Sequence, residues 1–589
     1  MCQPTSLAGY SDAVARAAHT LKFEDPSMKR TIRPWGAAII AVSLSLGAAV
    51  SAAAAARSVV TIAQGALLGR TDALGVRSFK GIPYAEPPIG ERRWRAPVAA
   101  SGWKGVRDAS RFSASCIQPP WPAHSIYNDR ISHFSEDCLY LNVWAPAHAR
   151  RAPVIVWIYG GGLVYGGTWE PYYDGSRFAA HGVVFVSMNY RLGALGWLAL
   201  PALSAESAHG VSGNYGLLDQ IAALKWVKRN ITAFGGDPHN VTIMGESAGG
   251  LCVAYLLASP LARGLFDKAI GESLGIYSEP ELKRADYGLP AAEAIGTRIE
   301  KALHANDLKA LRTMDATKLN LGALKAGYLP TGTIDGWALP HQLVDTYDRK
   351  EEAHVPVLMG FNAGEIQTLP GFLPPLPSSS AIYVREIEKR YRGLAREFLR
   401  LYPAIDVKAS MMAAERDAIF GWGAERIVRD EAALGEPAYL YYFDHGYPAA
   451  RARGLHAFHA SEIPYVFGRI GPGAPSLANW PQAQGRGEEA LSNAMIAYWT
   501  SFARTGVPTA PGEPDWPSFA PGKRYMHFAQ KPEVGRDLMP GMYELNEEVM
   551  ERRRAAGDQQ WGADIGVAAP VLPRDSPADQ VRAPASPRP

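Results

Sequence analysis

The sequence predicts an α/β fold whose core is a large, mostly parallel sheet with helices on both faces. Three observations support this. Short, nearly continuous apolar runs recur along the chain, helical stretches lie between them, and glycine-rich or polar loops follow them. A sheet that is covered on both faces requires apolar strands of this kind, and strands that alternate with helices favour parallel pairing. With 589 residues the chain is long enough to bury a large core.

The strand candidates are rich in β-branched and aromatic residues. We expect them at residues 154–159, 183–188, 241–244, 355–359 and 439–443. The first ends in Gly160-Gly161-Gly162, and the third ends in the stretch GESAG at residues 245–249. Chemistry in open α/β sheets is held in such loops at the carboxyl ends of the strands.

Two helices are predicted close to these loops. Residues 217–230 carry an apolar stripe and stop before a turn cluster at 234–238, and residues 248–258 follow GESAG directly. Two longer segments, residues 277–350 and 370–435, lack strong strand runs. We expect them to form helical cap insertions over the carboxyl ends of the strands.

Residues 1–55 are predicted to be an N-terminal extension and a signal peptide. A basic start at residues 28–33 precedes an apolar stretch at 35–50 and small residues suited to cleavage. The apolar stretch is short for a membrane span, so we expect export with no stable span after cleavage, and a retained anchor is the alternative. The start at Met1 or Met28, and the role of residues 1–27, stay open.

The rest of the chain is predicted to be one domain, residues 56–564, and a disordered tail rich in proline and alanine, residues 565–589. Export would let Cys116 and Cys138, which flank a polar loop, form a disulfide. The formal charge of +3 gives no reason to expect nucleic acid as a partner.

Two stretches fit the pattern Gly-x-Ser-x-Gly, which can hold a nucleophilic serine on a sharp turn between a strand and a helix. Ser247 in GESAG follows a β-branched run and precedes a helix. Ser273 in GESLG also follows a plausible strand, but Glu279-Pro280 lies soon after it, and a helix is unfavourable there. The context therefore favours Ser247.

The glycine run supports the same choice. The N–H groups of Gly161 and Gly162, with that of Ala248 after the serine, are candidates for an oxyanion hole. A phosphate-binding loop is the alternative, but no Gly-Lys-Ser/Thr follows the run.

Together these motifs resemble the type-B carboxylesterase/lipase family, which includes bacterial carboxylesterases and cholinesterases. The resemblance covers nearly all of residues 60–530 and implies the α/β-hydrolase fold. It rests on several motifs in order: FKGIPYAEPP at 79–88, EDCLYLNVW at 136–144, NYR at 189–191, GNYGLLDQ at 213–220 and FGGDP at 234–238.

The resemblance implies a catalytic triad of Ser247, Glu365 and His459. The glutamate lies in a segment similar to the family's Asn-x-x-Glu-Gly, although Ile366 stands where the family has glycine. Asp335 is the runner-up for the acid and His456 for the base. Glu246 is expected to tune the site and Ser273 to support it, although the family more often has Gln-Ser-Gly at Ser273.

The implied reaction is acyl transfer through a covalent intermediate on Ser247, with a small-molecule ester as substrate and with no metal or cofactor. Choline specificity is not supported, because residues 126–130 lack the tryptophan of that branch. Another branch hydrolyses polycarboxylate esters of mycotoxins and needs several basic pocket residues. A non-catalytic binding protein is the contrasting class, and the oligomeric state is not predicted.

Overall fold

The computed structural model describes residues 56–128, 131, 133–471, 474–562 and 564–573. The predicted signal peptide and the end of the predicted tail lie outside these residues. The strands of the described chain are β1 (Ala56–Ile62), β2 (Gly65–Thr71), β3 (Arg77–Pro83), β4 (Val106–Asp108), β5 (Ser115–Cys116), β6 (Phe134–Ser135), β7 (Tyr140–Ala145), β8 (Ala152–Ile158), β9 (Val184–Met188), β10 (Gly236–Glu246), β11 (Lys268–Glu272), β12 (Val357–Asn362), β13 (Ala438–Phe443), β14 (Arg524–Phe528) and β15 (Pro532–Arg536).

The α-helices of the described chain are α1 (Ser176–Ala180), α2 (Gly193–Trp197), α3 (Pro201–Glu206), α4 (Tyr215–Asn230), α5 (Ala248–Ala258), α6 (Ala292–Ala302), α7 (Leu308–Thr313), α8 (Ala316–Lys325), α9 (Leu343–Asp348), α10 (Ser380–Tyr391), α11 (Ala395–Leu401), α12 (Val407–Arg416), α13 (Trp422–Ala433), α14 (Pro448–Arg451), α15 (Ile463–Val466), α16 (Arg486–Thr505) and α17 (Met542–Ala556). A π-helical turn, Asp417–Gly421, joins α12 to α13.

One large sheet organises the domain. Its strands follow the order β1-β2-β3-β7-β9-β8-β10-β11-β12-β13-β14-β15, and β4 pairs with β2. Every pair from β9 to β14 is parallel, and the pairs from β1 through β7 to β9 and the final pair β14–β15 are antiparallel. Every residue of β8, β9, β11, β12 and β13 is buried, as expected for strands covered on both faces.

The five predicted strands and both predicted helices are confirmed. The largest boundary difference is β10, which extends from Gly236 to Glu246 where the apolar run alone predicted 241–244. Its first residues are polar, and pairing of Gly236 with Ala152 on β8 draws them into the sheet. Sheet hydrogen bonding, rather than side-chain apolarity, sets this boundary.

Both long segments without predicted strands are helical. One helix of the second segment, α13, does not fit the description of a cap. Helix α13 contacts both β12 and β13, so it belongs to the layer that covers the sheet. It lies in the chain between these two parallel neighbours, where a crossover helix is required. Helices α10, α11 and α12 form a separate apolar cluster with part of α17.

The predicted disordered tail begins too early. Ile565 is 4% exposed and Leu572 is 1% exposed, and both belong to the apolar cluster of α10–α12. The N–H of Leu572 donates to the carbonyl of Arg390 at 2.8 Å. Proline-rich composition predicted disorder here. Residues 565–573 are ordered because Ile565 and Leu572 pack against the apolar cluster of α10–α12.

The predicted disulfide is present between Cys116 and Cys138. It holds β5 near the start of β7, and the third described cysteine, Cys252, is buried in α5. Within the described part of the chain, no helix is both long and apolar enough to cross a membrane.

Candidate active site

Ser247 lies on a sharp turn between β10, which ends at Glu246, and α5, which begins at Ala248. Its backbone has φ 57° and ψ −123°, a conformation that L-residues rarely adopt. A Cβ on Gly249 would lie 2.0 Å from the carbonyl oxygen of Ile158 on β8, and one on Gly245 would lie 2.3 Å from the carbonyl oxygen of Gly249. Only glycine therefore allows this turn to pack against the sheet, as a nucleophile elbow requires.

The predicted oxyanion glycines lie beside this turn. A Cβ on Gly160 would lie 3.0 Å from the Cβ of Ser247, so the loop after β8 touches the serine. Gly161 and Gly162 have φ of 102° and 64°, and among the described residues neither N–H donates a hydrogen bond to the protein. Ala248 is the first residue of α5, where a backbone N–H has no carbonyl partner within the helix. These three groups are available to bind an anion.

Glu365 and His459 form a buried pair. The Nδ1 of His459 lies 2.5 Å from Oε2 of Glu365, and the two residues are 4% and 0% exposed. The other carboxylate oxygen of Glu365 accepts the N–H of Asn362 at 2.8 Å. This arrangement fixes the ring and directs Nε2 away from the glutamate, as a general base requires.

Asn362 joins the two loops that carry this pair. It ends β12, and its side chain donates to the carbonyl of Phe458 at 3.0 Å and to the carboxylate of Glu462. The N–H of Gly364 donates to the carbonyl of Ala457 at 2.7 Å. Ile366, which replaces the glycine of the family pattern, is 3% exposed in a 3-10 turn, so the substitution is accommodated without loss of the pair.

The free nitrogen of His459 faces Glu246. Nε2 lies 3.2 Å from Oε1 of this glutamate, which is adjacent in sequence to Ser247. Among the described residues no hydrogen bond joins the Ser247 hydroxyl to His459, so the imidazole contacts both glutamates in this state. Burial lowers the pKa of His459, but the charges of Glu246 and Glu365 raise it more, and the pKa lies above its usual value.

Two further buried carboxyl groups, those of Glu272 and Glu462, lie close to Glu246. Glu272 ends β11 and accepts the indole N–H of Trp499 at 2.6 Å, and Glu462 accepts the amide of Asn362. Burial raises the pKa of Glu246 to about 7 and that of Glu272 to about 8, and it also raises the pKa of Glu462 well above its usual value. The site therefore concentrates carboxyl groups that hold protons near neutral pH.

The alternative acid and base lie elsewhere. Asp335 accepts the backbone N–H groups of Trp337, Ala338 and Leu339, which is the arrangement of a turn cap. His456 lies 3.5 Å from Asp444, and its side chain is 46% exposed. Neither belongs to the group around His459.

Ser273 occupies the corresponding turn on the neighbouring strand. It follows β11, has φ 50° and is fully buried, and its N–H donates to the carbonyl of Gly360 at 2.8 Å. No helix follows it until α6 begins at Ala292. Its hydroxyl has no hydrogen-bond partner among the described residues.

Four residues near the site were not identified from the sequence. Glu272 and Glu462 lie close to Glu246, and the indole N–H of Trp499 donates to Glu272. The hydroxyl of Tyr127 donates to the carbonyl of His459 at 3.0 Å. Glu272 and Glu462 could have been suspected, because each is an acidic residue within three positions of a predicted site residue. Trp499 and Tyr127 are remote in sequence and carry no local signal.

Comparison with known proteins agrees with this geometry. Residues 56–545 match the family described as the Carboxylesterase family. A fumonisin B1 esterase from Sphingopyxis macrogoltabida is 38% identical over 521 residues, which cover 85% of this chain and 93% of that protein. A para-nitrobenzyl esterase from Bacillus subtilis (strain 168) is 34% identical over 479 residues, which cover 78% of this chain and 92% of that protein.

The solved structures give the same result. A PNB esterase structure superimposes with a TM-score of 0.72 at 32% identity, and the match covers 83% of this chain and 99% of that one. A carboxylesterase from Geobacillus stearothermophilus has a TM-score of 0.68, also at 32% identity, with 83% and 100% covered. With a strained serine between strand and helix and a buried histidine–glutamate pair beside it, the chain belongs to the carboxylesterase family, has the α/β-hydrolase fold and is a carboxylic ester hydrolase.

Proposed function

We propose that the protein hydrolyses carboxylic esters through an acyl-enzyme on Ser247, with His459 as general base and Glu365 as the carboxylate that orients it. The observation that carries this proposal is the buried contact between His459 Nδ1 and Glu365, on loops beside the turn of Ser247. The N–H groups of Gly161 and Gly162, which have no hydrogen-bond partner among the described residues, lie next to that turn.

The chemistry proceeds in two steps. His459 takes the proton of the Ser247 hydroxyl as its oxygen attacks the ester carbonyl, and the N–H groups of Gly161, Gly162 and Ala248 stabilise the oxyanion. The imidazolium returns the proton to the departing alcohol. His459 then deprotonates water, which attacks the acyl-serine. The imidazolium returns that proton to the oxygen of Ser247 as the acid is released. The first step requires the imidazole and the hydroxyl to come within hydrogen-bond distance, a contact that often forms only when substrate binds.

Active-site labelling tests the nucleophile directly. A fluorophosphonate reagent should add once to the intact protein, and peptide mapping should place the label on Ser247. Ser247→Ala should abolish both labelling and hydrolysis of nitrophenyl butyrate, while Ser273→Ala, its matched control on the next strand, should still label. Label on Ser273, or full labelling of Ser247→Ala, would refute the assignment and leave the non-catalytic class to be considered.

The preferred acyl group is proposed to be uncharged. Glu246 and Glu365 contact His459, and Glu272 and Glu462 are buried close to Glu246. Among the described residues no lysine or arginine forms an ion pair with any of these four carboxyl groups. A negative charge on the acyl group would be repelled here. The fumonisin B1 esterase relative favours a second candidate, esters of polycarboxylic acids, which would require basic residues at the mouth of the pocket.

One pair of substrates separates the two candidates. Nitrophenyl butyrate and the nitrophenyl monoester of glutaric acid share a leaving group and differ by one carboxylate. A neutral-ester enzyme should favour the butyrate by at least roughly tenfold in kcat/KM at low salt, and the preference should shrink as salt screens the charge. Preference for the glutarate would instead support the polycarboxylate candidate.

We also infer that the protein is exported. The basic, apolar and small-residue pattern of residues 28–52 supports this, and a disulfide between Cys116 and Cys138 is consistent with an oxidising compartment. Expression of the full chain in a bacterial host, followed by fractionation and N-terminal sequencing, tests it. An intact N-terminus in the membrane fraction would favour the retained anchor.

A further inference from the structure

Glu272 and Glu246 stand side by side at the end of the parallel sheet. They are partners in the register between β10 and β11, so their side chains project from the same face of the sheet. Glu272 is completely buried, and only one of its oxygens has a partner, the indole N–H of Trp499 at 2.6 Å. The other oxygen is buried and accepts no hydrogen bond from the described residues.

The charges around these two residues do not balance if every carboxyl group is ionised. Glu246, Glu272, Glu365 and Glu462 would be four buried negative charges that act on one another, and the imidazole of His459 contacts only two of them. An unpaired buried carboxylate is so unfavourable that it takes up a proton instead. Glu365 is the member of the group whose two oxygens both have partners, the N–H of Asn362 and Nδ1 of His459. The protons that this group holds therefore reside among the other three.

Glu272 is the member of this set that is best placed to titrate just above neutral pH. Burial raises its pKa to about 8, an effect that the Trp499 N–H opposes and the charge of Glu246 reinforces. Burial raises the pKa of Glu246 to about 7, which the positive His459 holds down. Glu462 and the nearby phenol of Tyr441 have pKa values raised so far by burial that both stay neutral.

We propose that Glu272 is a positioning residue that carries a proton while the enzyme works, and that loss of this proton reduces activity at alkaline pH; the proposal rests on the ester hydrolysis proposed above. A protonated Glu272 leaves the negative charge of Glu246 as the single charge next to Nε2 of His459. No covalent step involves Glu272, which acts through Glu246.

Ionisation of Glu272 would disturb the reaction in two ways. A second carboxylate beside Glu246 strengthens the binding of a proton by His459, so less free base is present. It also repels the oxyanion that develops near Ser247. At the separation of neighbouring side chains in this cluster, the combined effect corresponds to roughly a tenfold loss of kcat/KM.

The pH dependence of kcat/KM tests the proposal, measured by pH-stat titration of the released acid from pH 6 to pH 10. The wild-type enzyme should lose roughly tenfold in kcat/KM above about pH 8. Glu272→Gln, which is neutral at every pH and still presents an oxygen to Trp499, should lower kcat/KM at pH 7 by roughly threefold and remove the alkaline decline. Trp499→Phe should move the decline to higher pH, because it removes the N–H that favours the ionised form.

Glu431→Gln is the matched control. Glu431 is also fully buried, and burial raises its pKa to about 9, but it lies near the C-terminus of α13, which leads into the amino end of β13. This variant should keep the wild-type alkaline decline. A Glu272→Gln profile that superimposes on the wild-type profile would overturn the proposal, as would a Trp499→Phe decline that does not move.

Circular dichroism of each variant establishes folding, and if Glu272→Gln does not fold, the Trp499→Phe shift decides the question. Failure of the proposed function is a separate outcome. It would appear as full activity in Ser247→Ala, whatever the pH profile of the Glu272 variant.

Discussion

The two Gly-Glu-Ser-x-Gly stretches are neighbours in the sheet as well as copies in the sequence. Gly245 pairs with Gly271 and Glu246 with Glu272 in the register of β10 and β11. Each serine has positive φ, and each donates its N–H to a carbonyl on the next strand, Ser247 to Glu272 and Ser273 to Gly360. The same local sequence therefore gives nearly the same local backbone at two adjacent positions.

The two turns differ in what surrounds them. Ser247 is only partly buried and begins a helix, whereas Ser273 is fully buried and begins an irregular segment. A Cβ on Gly249 would meet the backbone of Ile158 at 2.0 Å, but one on Gly275 would meet a side-chain atom of Tyr277 at 2.9 Å. A match to the Gly-x-Ser-x-Gly pattern thus predicts the shape of the turn. Whether the serine can react depends on its exposure and on its distance from an imidazole.

The largest expected effect separates the two serines. Ser247→Ala should reduce kcat for a nitrophenyl ester by a factor on the order of 10⁵, because the nucleophile is lost. Ser273→Ala should reduce it by only about threefold, since its buried hydroxyl has no hydrogen-bond partner in the part of the chain that the structure describes. Steady-state kinetics on both proteins tests this, and comparable losses in the two variants would break the comparison.

The two nearby histidines provide a second test. His459→Ala should lower kcat by a factor on the order of 10⁴, because the serine loses its base. His456→Ala should retain activity within about threefold, since its exposed side chain contacts only Asp444 among the described charged groups. A large loss in His456→Ala would mean that the base had been assigned to the wrong residue.

Substitution of the last glycine in each stretch, Gly249 or Gly275, should lower the stability of the protein by different amounts. Gly249→Ala should lower the free energy of unfolding by about 3 kcal/mol or prevent folding, because the neighbouring backbone of β8 cannot move away. Gly275→Ala should cost about 1 kcal/mol, since the ring of Tyr277 can rotate. Urea unfolding followed by circular dichroism gives both values. Equal losses would show that the second turn is as tightly constrained as the first.

The smallest effect concerns the acid side of the pH profile. As the proposed general base, His459 must be unprotonated to act, and Glu246 is one of the charges that raise its pKa. Activity is therefore lost as pH falls through this raised pKa, and Glu246→Gln should move the loss to lower pH. Glu431→Gln serves as the control, and kcat/KM from pH 5 to pH 8 is the measurement. If the acid limb of Glu246→Gln is unchanged, the charge of Glu246 does not affect the pKa of His459.

Much of the fold and several site residues could be predicted because their signals are local. Apolar runs identified strands β8, β9, β12 and β13 within a few residues, and the strand-turn-helix context singled out Ser247. The pairing of Cys116 with Cys138 followed from a polar loop and export. The roles of Glu365 and His459 came from the family resemblance, and only their contact in space depends on the structure.

Local sequence determined which residues could react, because strand periodicity, turn glycines and the order of motifs along the chain are properties of short segments. Only the tertiary structure determined which carboxyl groups contact the imidazole of His459 and which are buried close to Glu246. Glu272 and Trp499 are 227 positions apart in the sequence, yet they form a hydrogen bond because α16 packs against β8 and β10, next to β11 in the sheet. Burial and charge depend on all neighbours at once, so protonation in this site follows from the assembled fold.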